Sequence, residues 1–226
     1  MLLLRLLQGV RNMMLGMTAG AGKKESIEQI ITPFMLKAAP VAVYSLRPVY
    51  SADSVVVEIR DENMLVNKAD FRTLLHTKNG TVHKWPDQSG NGLDLETRNR
   101  PACSPRQWLT QHMDLVPAID LHGNKYLATS EKGITLGKSP FIDMFIVSSG
   151  VINVVVGDIS KSTKEEAGTY HLDFSAELHN IQEEVPNTTI RISGTGQIFE
   201  LLIYDTLLSE ADKSAIRGWQ QFYWGR

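Results

Sequence analysis

The chain has 226 residues, of which 42% are hydrophobic and 21% are charged, so it can bury a core of ordinary size. Its 23 basic and 25 acidic residues nearly cancel, which excludes the broad positive field that non-specific nucleic-acid binding needs. The single cysteine, Cys103, excludes an intrachain disulfide.

Residues 1–40 are predicted to form an N-terminal arm that joins the main domain through a glycine-containing linker. Arg5 and Arg11 interrupt its apolar residues, which favours an amphipathic segment over a signal peptide or a membrane span. The small residues 19–22 keep a cleavable signal peptide as an alternative. The apolar face at near-helical spacing consists of Leu3, Leu6, Leu7, Val10, Met14 and Met17. This face could anchor the chain to a partner or pack back on its own domain.

From Val41 onward, short runs rich in β-branched and aromatic residues alternate with turn-forming residues, a pattern typical of strands. The predicted strands cover residues 41–46, 54–59, 81–85, 117–121, 126–128, 141–147, 151–156, 169–174, 188–192 and 197–204. A short helix is predicted over residues 69–76, an irregular segment over 97–116 and a solvated loop over 158–168. The runs 141–147 and 151–156 are predicted to pair as a hairpin of buried strands.

The end of the chain combines a buried strand with a capped helix. The run 197–204 is apolar on both faces, which predicts a central strand, with Glu200 as a sheet-face acid satisfied by a neighbour. Ser209 and Asp212 fit the N-cap and N3 positions of a helix that runs to about Trp224. Residues 41–226 are therefore predicted to form an all-β domain, a two-sheet antiparallel β-sandwich or jelly roll with a short C-terminal helix.

The stretch Trp85-Pro86-Asp87-Gln88-Ser89-Gly90-Asn91-Gly92 is predicted to be a tight corner between two strands. Gly90 and Gly92 suit backbone positions with positive φ. The polar side chains of Asp87, Ser89 and Asn91 can bond nearby backbone amides. A turn-forming role explains this composition without a ligand.

Three motifs follow one another in the order Ala42–Arg47, Trp85–Gly92 and Pro117–Leu127, and a closing stretch covers Ile198–Asp205 and Leu208–Asp212. Together they resemble the concanavalin A-like/laminin-G-like jelly-roll superfamily. In detail the chain resembles the version found in phage tail, fibre and other virion proteins. The first two motifs also resemble the catalytic domain of fungal arabinofuranosidase B.

The resemblance implies a virion structural protein of a tailed phage, made in the host cytoplasm: a decoration, fibre or tail-associated subunit. The N-terminal arm would bind other virion proteins, and the sandwich would be displayed, often as a homo-oligomer. The first alternative is a carbohydrate-binding module for host surface glycans, and the second is a glycoside hydrolase. The glycan-binding candidates are Trp85, Asp87, Asn91, Trp108 and Tyr126.

A glycoside hydrolase needs two carboxylates beside the scissile bond, and the candidates are Asp87, Asp120, Asp173, Glu177 and Glu200. The fungal enzyme carries a cysteine-rich segment and a nucleophile-bearing motif that this chain lacks. The resemblance therefore transfers no catalytic residue, and we expect that the chain is not an enzyme. The histidines show no zinc-binding spacing, so we expect no metal cofactor. Many jelly rolls of this superfamily bind calcium, for which Asp87 and Asn91 would be the ligands.

Overall fold

The structure, a computed structural model, describes residues 38–45, 56–61, 64–70, 80–98, 102–106, 116–129 and 132–224. This part of the chain is dominated by strands and has two helices, so the predicted all-β fold is confirmed. The strands are β1 (Ala42–Ser45), β2 (Val56–Asp61), β3 (Met64–Asp70), β4 (Gly80–Trp85), β5 (Leu95–Arg98), β6 (Ala102–Arg106), β7 (Val116–Asp120), β8 (Tyr126–Thr129), β9 (Ile134–Leu136), β10 (Asp143–Ser149), β11 (Ile152–Val156), β12 (Ile159–Ser162), β13 (Gly168–Asp173), β14 (Val185–Thr188), β15 (Ile190–Gly194) and β16 (Gln197–Tyr204). The helices are α1 (Ser175–Leu178) and α2 (Glu210–Trp224).

The strands pair in an antiparallel manner along one path, β12-β11-β15-β8-β5-β4-β6-β7-β16-β10-β13. Strand β1 adds to β16, β2 and β3 add beside β4, and β9 pairs separately with β14. Apolar side chains from β8, β11 and β15 share one buried core with side chains from β1, β10 and β16. The path therefore encloses its core as a sandwich of two layers.

Strand β16 is the centre of the sandwich, because all eight of its residues are buried. It lies between β10 on one side and β7 and β1 on the other. Phe199, Leu201 and Ile203 face the main core, whereas Leu202 and Tyr204 belong to a second apolar cluster. The prediction of a central strand with two apolar faces is confirmed.

Helix α2 covers the outer side of β16 and begins with the predicted capping box. The amide of Asp212 donates to Ser209 Oγ over 3.1 Å, and Ser209 Oγ donates to Asp212 Oδ2 over 2.8 Å. Ile216 packs with Val43 and Phe145 in the second cluster. Neither helix of the described residues is long and apolar enough to cross a membrane.

The predicted hairpin of residues 141–147 and 151–156 is wrong. Strand β10 pairs with β13 and β16, whereas β11 pairs with β12 and β15. Gly150 has a φ of 81°, and a Cβ atom there would lie 2.8 Å from the Cα of Gly196. The glycine is therefore required where two chain segments pass closely between the layers, and it does not mark a hairpin turn.

Three further predictions of local structure are corrected. Residues 97–116 are not wholly irregular, because they include β6, whose Pro105 lies opposite Pro117 of β7. Proline argues against a strand in sequence patterns, which is why β6 was missed. The predicted loop 158–168 contains the edge strand β12, and the first residues of the predicted helix 69–76 belong to β3. The short strands β9 and β14 were not predicted.

Candidate functional site

The corner that follows β4 is built around the carboxylate of Asp87. Its Oδ1 accepts hydrogen bonds from the amides of Val43 and Ser89, both over 2.9 Å. Its Oδ2 accepts from Ser89 Oγ over 2.7 Å and from the amide of Leu93 over 3.3 Å. Both oxygens are therefore engaged by donors of the fold itself, and Asp87 joins β1 to the corner.

Two other polar side chains of the corner donate to backbone carbonyls in β1 and just before it. Gln88 Nε2 donates to the carbonyl of Ser45 over 2.8 Å, and Asn91 Nδ2 donates to the carbonyl of Val41 over 2.9 Å. Gly90 and Gly92 have φ of 90° and 74°, which confirms the predicted positive φ. Among the described residues no group of three or more His, Cys, Asp or Glu could hold a metal ion.

The aromatic residues beside the corner are not accessible to a ligand. Trp85 is 0% exposed, and its ring centroid lies 5.5 Å from that of Tyr44. The Tyr44 hydroxyl donates to the carbonyl of Leu93, and burial with the nearby Asp87 and Asp94 raises the pKa of Tyr44 well above its usual value. Trp85 thus packs in the hydrophobic core, and its ring cannot stack on a sugar in this structure.

Of the remaining predicted residues, the structure describes only Tyr126. Trp108 lies outside the described residues. The predicted arm residues also lie outside them: Leu3, Leu6, Leu7, Val10 and Met14. Tyr126 is separate from the corner and stands on β8, half-buried on the outer side of the sheet. Of the glycan-binding candidates that the structure describes, Trp85, Asp87 and Asn91 lie together in the corner, and Tyr126 lies apart from them. Of the two aromatic rings in this group, Trp85 is fully buried and Tyr126 is partly exposed.

Tyr126 begins a row of polar side chains that crosses neighbouring strands. Ser193 of β15 lies opposite Tyr126, Asn153 of β11 lies opposite Ser193, and Ser162 of β12 lies opposite Asn153. The intervening residues Leu127, Ile192 and Val154 are fully buried, so alternation places the polar residues on the outer surface. We call this surface the polar face: Tyr126, Arg191, Ser193, Asn153 and Ser162.

Arg191 lies beside this row, two residues before Ser193 on β15 and opposite Ala128. Its guanidinium carbon lies 4.1 Å from the centroid of the Tyr126 ring, a cation–π contact. Ser162 Oγ donates to Asn153 Oδ1 over 2.6 Å, which leaves the Asn153 amide hydrogens for another partner. Sequence reasoning missed Arg191 and Asn153, although the pattern Ile190-Arg191-Ile192 alternates as an outer-face position does.

A charged cluster lies at the edge between β10, β13 and α2. The buried carboxylate of Asp143 lies 2.5 Å from Nε2 of His171 and 3.6 Å from Nζ of Lys213. The His171 ring stacks on Phe145, with centroids 4.6 Å apart. Asp173 lies opposite Asp143 in register, and its Oδ2 is 4.0 Å from the same Lys213 ammonium. Lys213 thus compensates two carboxylates that face each other across neighbouring strands.

The ionisation of Asp173 is shifted by its neighbours. Burial alone would raise its pKa, but hydrogen bonds from the Ser175 hydroxyl and amide, together with the Lys213 charge, lower the pKa below its usual value. The Ser175 amide lies 2.8 Å from Asp173 Oδ1. Asp173 therefore remains ionised at neutral pH, and Lys213 of α2 is held against the sheet.

The other acids considered for hydrolysis have separate partners. Asp120 contacts the His122 ring, and Glu177 lies 2.8 Å from Lys161 Nζ at another edge. Glu200 is 0% exposed beneath α2; its Oε2 accepts from Ser45 Oγ and its Oε1 accepts from Gln220 Nε2, both over 3.0 Å. The prediction that a neighbour satisfies Glu200 is confirmed.

The fold can be compared with solved structures. The chain shares its fold with an arabinofuranosidase. That structure, complexed with arabinofuranosyl-alpha-1,2-xylobiose, matches with a TM-score of 0.54 and 11% identity, over 80% of this chain and 62% of that one. This chain thus covers less than two thirds of the enzyme's length. A ruminal GH26 endo-beta-1,4-mannanase matches over 41% of this chain with 6% identity, and its TM-score of 0.26 is too low to argue from.

No protein-family model and no curated protein matches the sequence. The arabinofuranosidase match supports the jelly-roll resemblance, and it lends no support to the virion type. It also overturns our expectation that the chain is not an enzyme, because the protein that shares its fold is one. That expectation relied on the missing cysteine-rich segment and the missing nucleophile-bearing motif, but the fold forms without that segment.

Proposed function

We propose that the chain is a carbohydrate-recognising β-sandwich that binds oligosaccharides on its polar face. The observation that carries the proposal is Tyr126, a half-buried ring on an open sheet surface whose hydroxyl forms no hydrogen bond within the described part of the chain. Aromatic rings beside a few placed polar groups are typical of small-molecule sites. The shared fold with an arabinofuranosidase supports a sugar as the ligand class.

The geometry of the polar face suits an extended ligand. Neighbouring strands lie about 4.8 Å apart, so the row from Tyr126 to Ser162 extends over roughly 14 Å. Hydroxyl and amide groups recur along this row at the strand spacing, at Ser193, Asn153 and Ser162. Sugar hydroxyls can replace the water molecules that these groups bind, and the small serines leave room for the rings.

A glycan array measured with the full chain tests this proposal. We expect binding to at least one oligosaccharide and its loss in Tyr126→Ala, because that change removes both ring and hydroxyl. Trp85→Phe is the matched aromatic control, since Trp85 is buried and its replacement leaves the polar face intact. Binding that survives Tyr126→Ala would place the ligand elsewhere, and no binding by the wild-type chain would reject the proposal.

Glycoside hydrolysis is the second candidate, favoured by the arabinofuranosidase fold and by the facing carboxylates of Asp143 and Asp173. Directly opposed residues on antiparallel strands have Cβ atoms about 5 Å apart, close to the spacing of carboxylates in retaining glycosidases. The lowered pKa of Asp173 keeps it ionised, as a nucleophile must be. Release of p-nitrophenol from an aryl arabinofuranoside, abolished by Asp173→Asn, would support this candidate. An inactive wild-type chain would reject it.

We also propose the virion role, in which residues 1–40 attach the sandwich to other virion proteins, the chain forms a homo-oligomer and its location is the virion. The motif resemblance to phage tail and fibre proteins supports it, and the structural matches add nothing to it. The arm lies almost wholly outside the described residues. Carbohydrate recognition is compatible with this role, because a displayed sandwich could bind host surface glycans.

A further inference from the structure

Arg191 stands on the polar face beside the Tyr126 ring. Its side chain is exposed, and within the described part of the chain no carboxylate forms an ion pair with it. The Tyr126 ring lies 4.1 Å from its guanidinium carbon and restricts where the group can move. A guanidinium held in place loses less conformational entropy on binding and can engage a carboxylate with two parallel hydrogen bonds.

The surrounding charges leave this site electropositive. Arg191 belongs to a second cross-strand row next to that of Tyr126. In this second row, Glu96 of β5 lies opposite Ala128, which lies opposite Arg191. Two strand spacings separate Glu96 from Arg191, about 10 Å. This spacing separates the two backbones, and no ion pair joins the side chains of Glu96 and Arg191, so the carboxylate does not pair with the guanidinium. On the other side of Arg191 the outer positions carry Val155 and Ser160, which are uncharged.

We propose that the polar face selects acidic saccharides, with the carboxylate of a uronic acid paired to Arg191. This inference rests on the proposed carbohydrate-binding function and names its ligand class. The sugar that carries the carboxylate contacts Tyr126, and the next sugars extend over Ser193 and Asn153, away from Glu96. The hydroxyl of Tyr126 and the amide hydrogens of Asn153 have no hydrogen-bond partner among the described residues, and they supply hydrogen bonds to the hydroxyl groups of the saccharide.

Isothermal titration with a matched pair of ligands tests this inference: trigalacturonate and its fully methyl-esterified form, which has the same sugars without charge. We expect the wild-type chain to prefer trigalacturonate. Arg191→Gln should weaken binding of trigalacturonate roughly 10- to 100-fold, because a hydrogen-bonded ion pair is lost, and should leave binding of the ester unchanged. The ion pair also predicts that added salt weakens binding of trigalacturonate only.

Lys164→Gln is the matched control, since Lys164 is an exposed cation in a loop, without an ion pair in the described part of the chain. It should leave both affinities at wild-type values. Equal binding of acid and ester, or a preference that persists in Arg191→Gln, would overturn the acidic ligand and leave carbohydrate recognition standing. Absence of binding to both ligands and to the whole glycan array would reject both proposals. Circular dichroism of Arg191→Gln checks that the sheet still forms.

Discussion

Asp87 shows how one side chain of the corner contributes to the fold. Its two oxygens accept four hydrogen bonds, one of them from Val43 in a strand far away in sequence. The cluster of Asp, Ser and Asn beside a tryptophan is typical of a ligand site as much as of a turn. The structure distinguishes the two, because the polar atoms point into the corner and bind its own backbone.

Asp87→Asn should destabilise the chain without affecting ligand binding. The new amide keeps one acceptor oxygen but replaces the other by a donor, so the amide of Leu93 and the Ser89 hydroxyl lose their partner. We expect a loss of about 2 kcal/mol in the free energy of unfolding, measured by urea denaturation. Asp205→Asn, at an exposed position, should stay within about 0.5 kcal/mol of wild type. Equal effects of the two changes would contradict the role of Asp87.

Among the secondary-structure elements, helix α2 is the one whose first residues the sequence predicts best. Ser209 and Asp212 form the expected capping box, since this motif needs only residues three positions apart. The inner strand β6 and the edge strand β12 could not be predicted in this way, because only their neighbours stabilise them. Likewise, β10 and β11 follow each other in sequence but pair with other strands, and local patterns do not encode the choice of partner.

Removal of the cap provides a test of how much α2 depends on it. Ser209→Ala should lower the free energy of unfolding by about 1 kcal/mol, because the Asp212 amide loses its acceptor. Ser214→Ala is the matched control, an identical change at an exposed position inside the same helix. Alanine has the higher helix propensity, so this control should be neutral or slightly stabilising. A destabilisation of Ser214→Ala equal to that of Ser209→Ala would show that the cap is not the cause.

The Lys213 cluster should make the docking of α2 sensitive to acid. Because the pKa of Asp173 is lowered on folding, its carboxylate stabilises the folded state above the unfolded pKa of about 3.9. That contribution is lost as the pH falls through the lower, folded pKa. Asp173→Asn should therefore destabilise the chain at pH 7 but not at pH 2, by an amount reduced by the partial exposure of the side chain.

Urea denaturation at both pH values measures this difference. Asp158→Asn, an exposed acid without an ion pair in the described part of the chain, serves as the control and should match wild type at both pH values. A difference between Asp173→Asn and wild type that is the same at pH 2 as at pH 7 would show that ionisation of Asp173 plays no part.

For the whole molecule, the all-β class and the central position of β16 could be predicted, because uninterrupted apolar runs must be buried. The polar face could not be predicted as a site. Its residues come from strands that are neighbours only in the folded sheet, and each one alone resembles an ordinary surface position. Tyr126 was predicted to bind sugars because its ring can stack on them. Arg191 lies 65 positions later in the sequence, and only its contact with that ring in the folded sheet indicates a role in the site.

The division into an arm and a sandwich can be tested by shortening the chain to residues 38–226. Among the described residues the buried core lies between Ala42 and Trp224, so the shortened chain should unfold within about 1 kcal/mol of the full chain. It should also keep its glycan binding, because the polar face begins at Tyr126. If the arm attaches the protein to virions, the shortened chain should fail to join particles, with the full-length chain as the control in the same assembly reaction. A large loss of stability would instead show that the apolar face around Leu6 packs on its own domain.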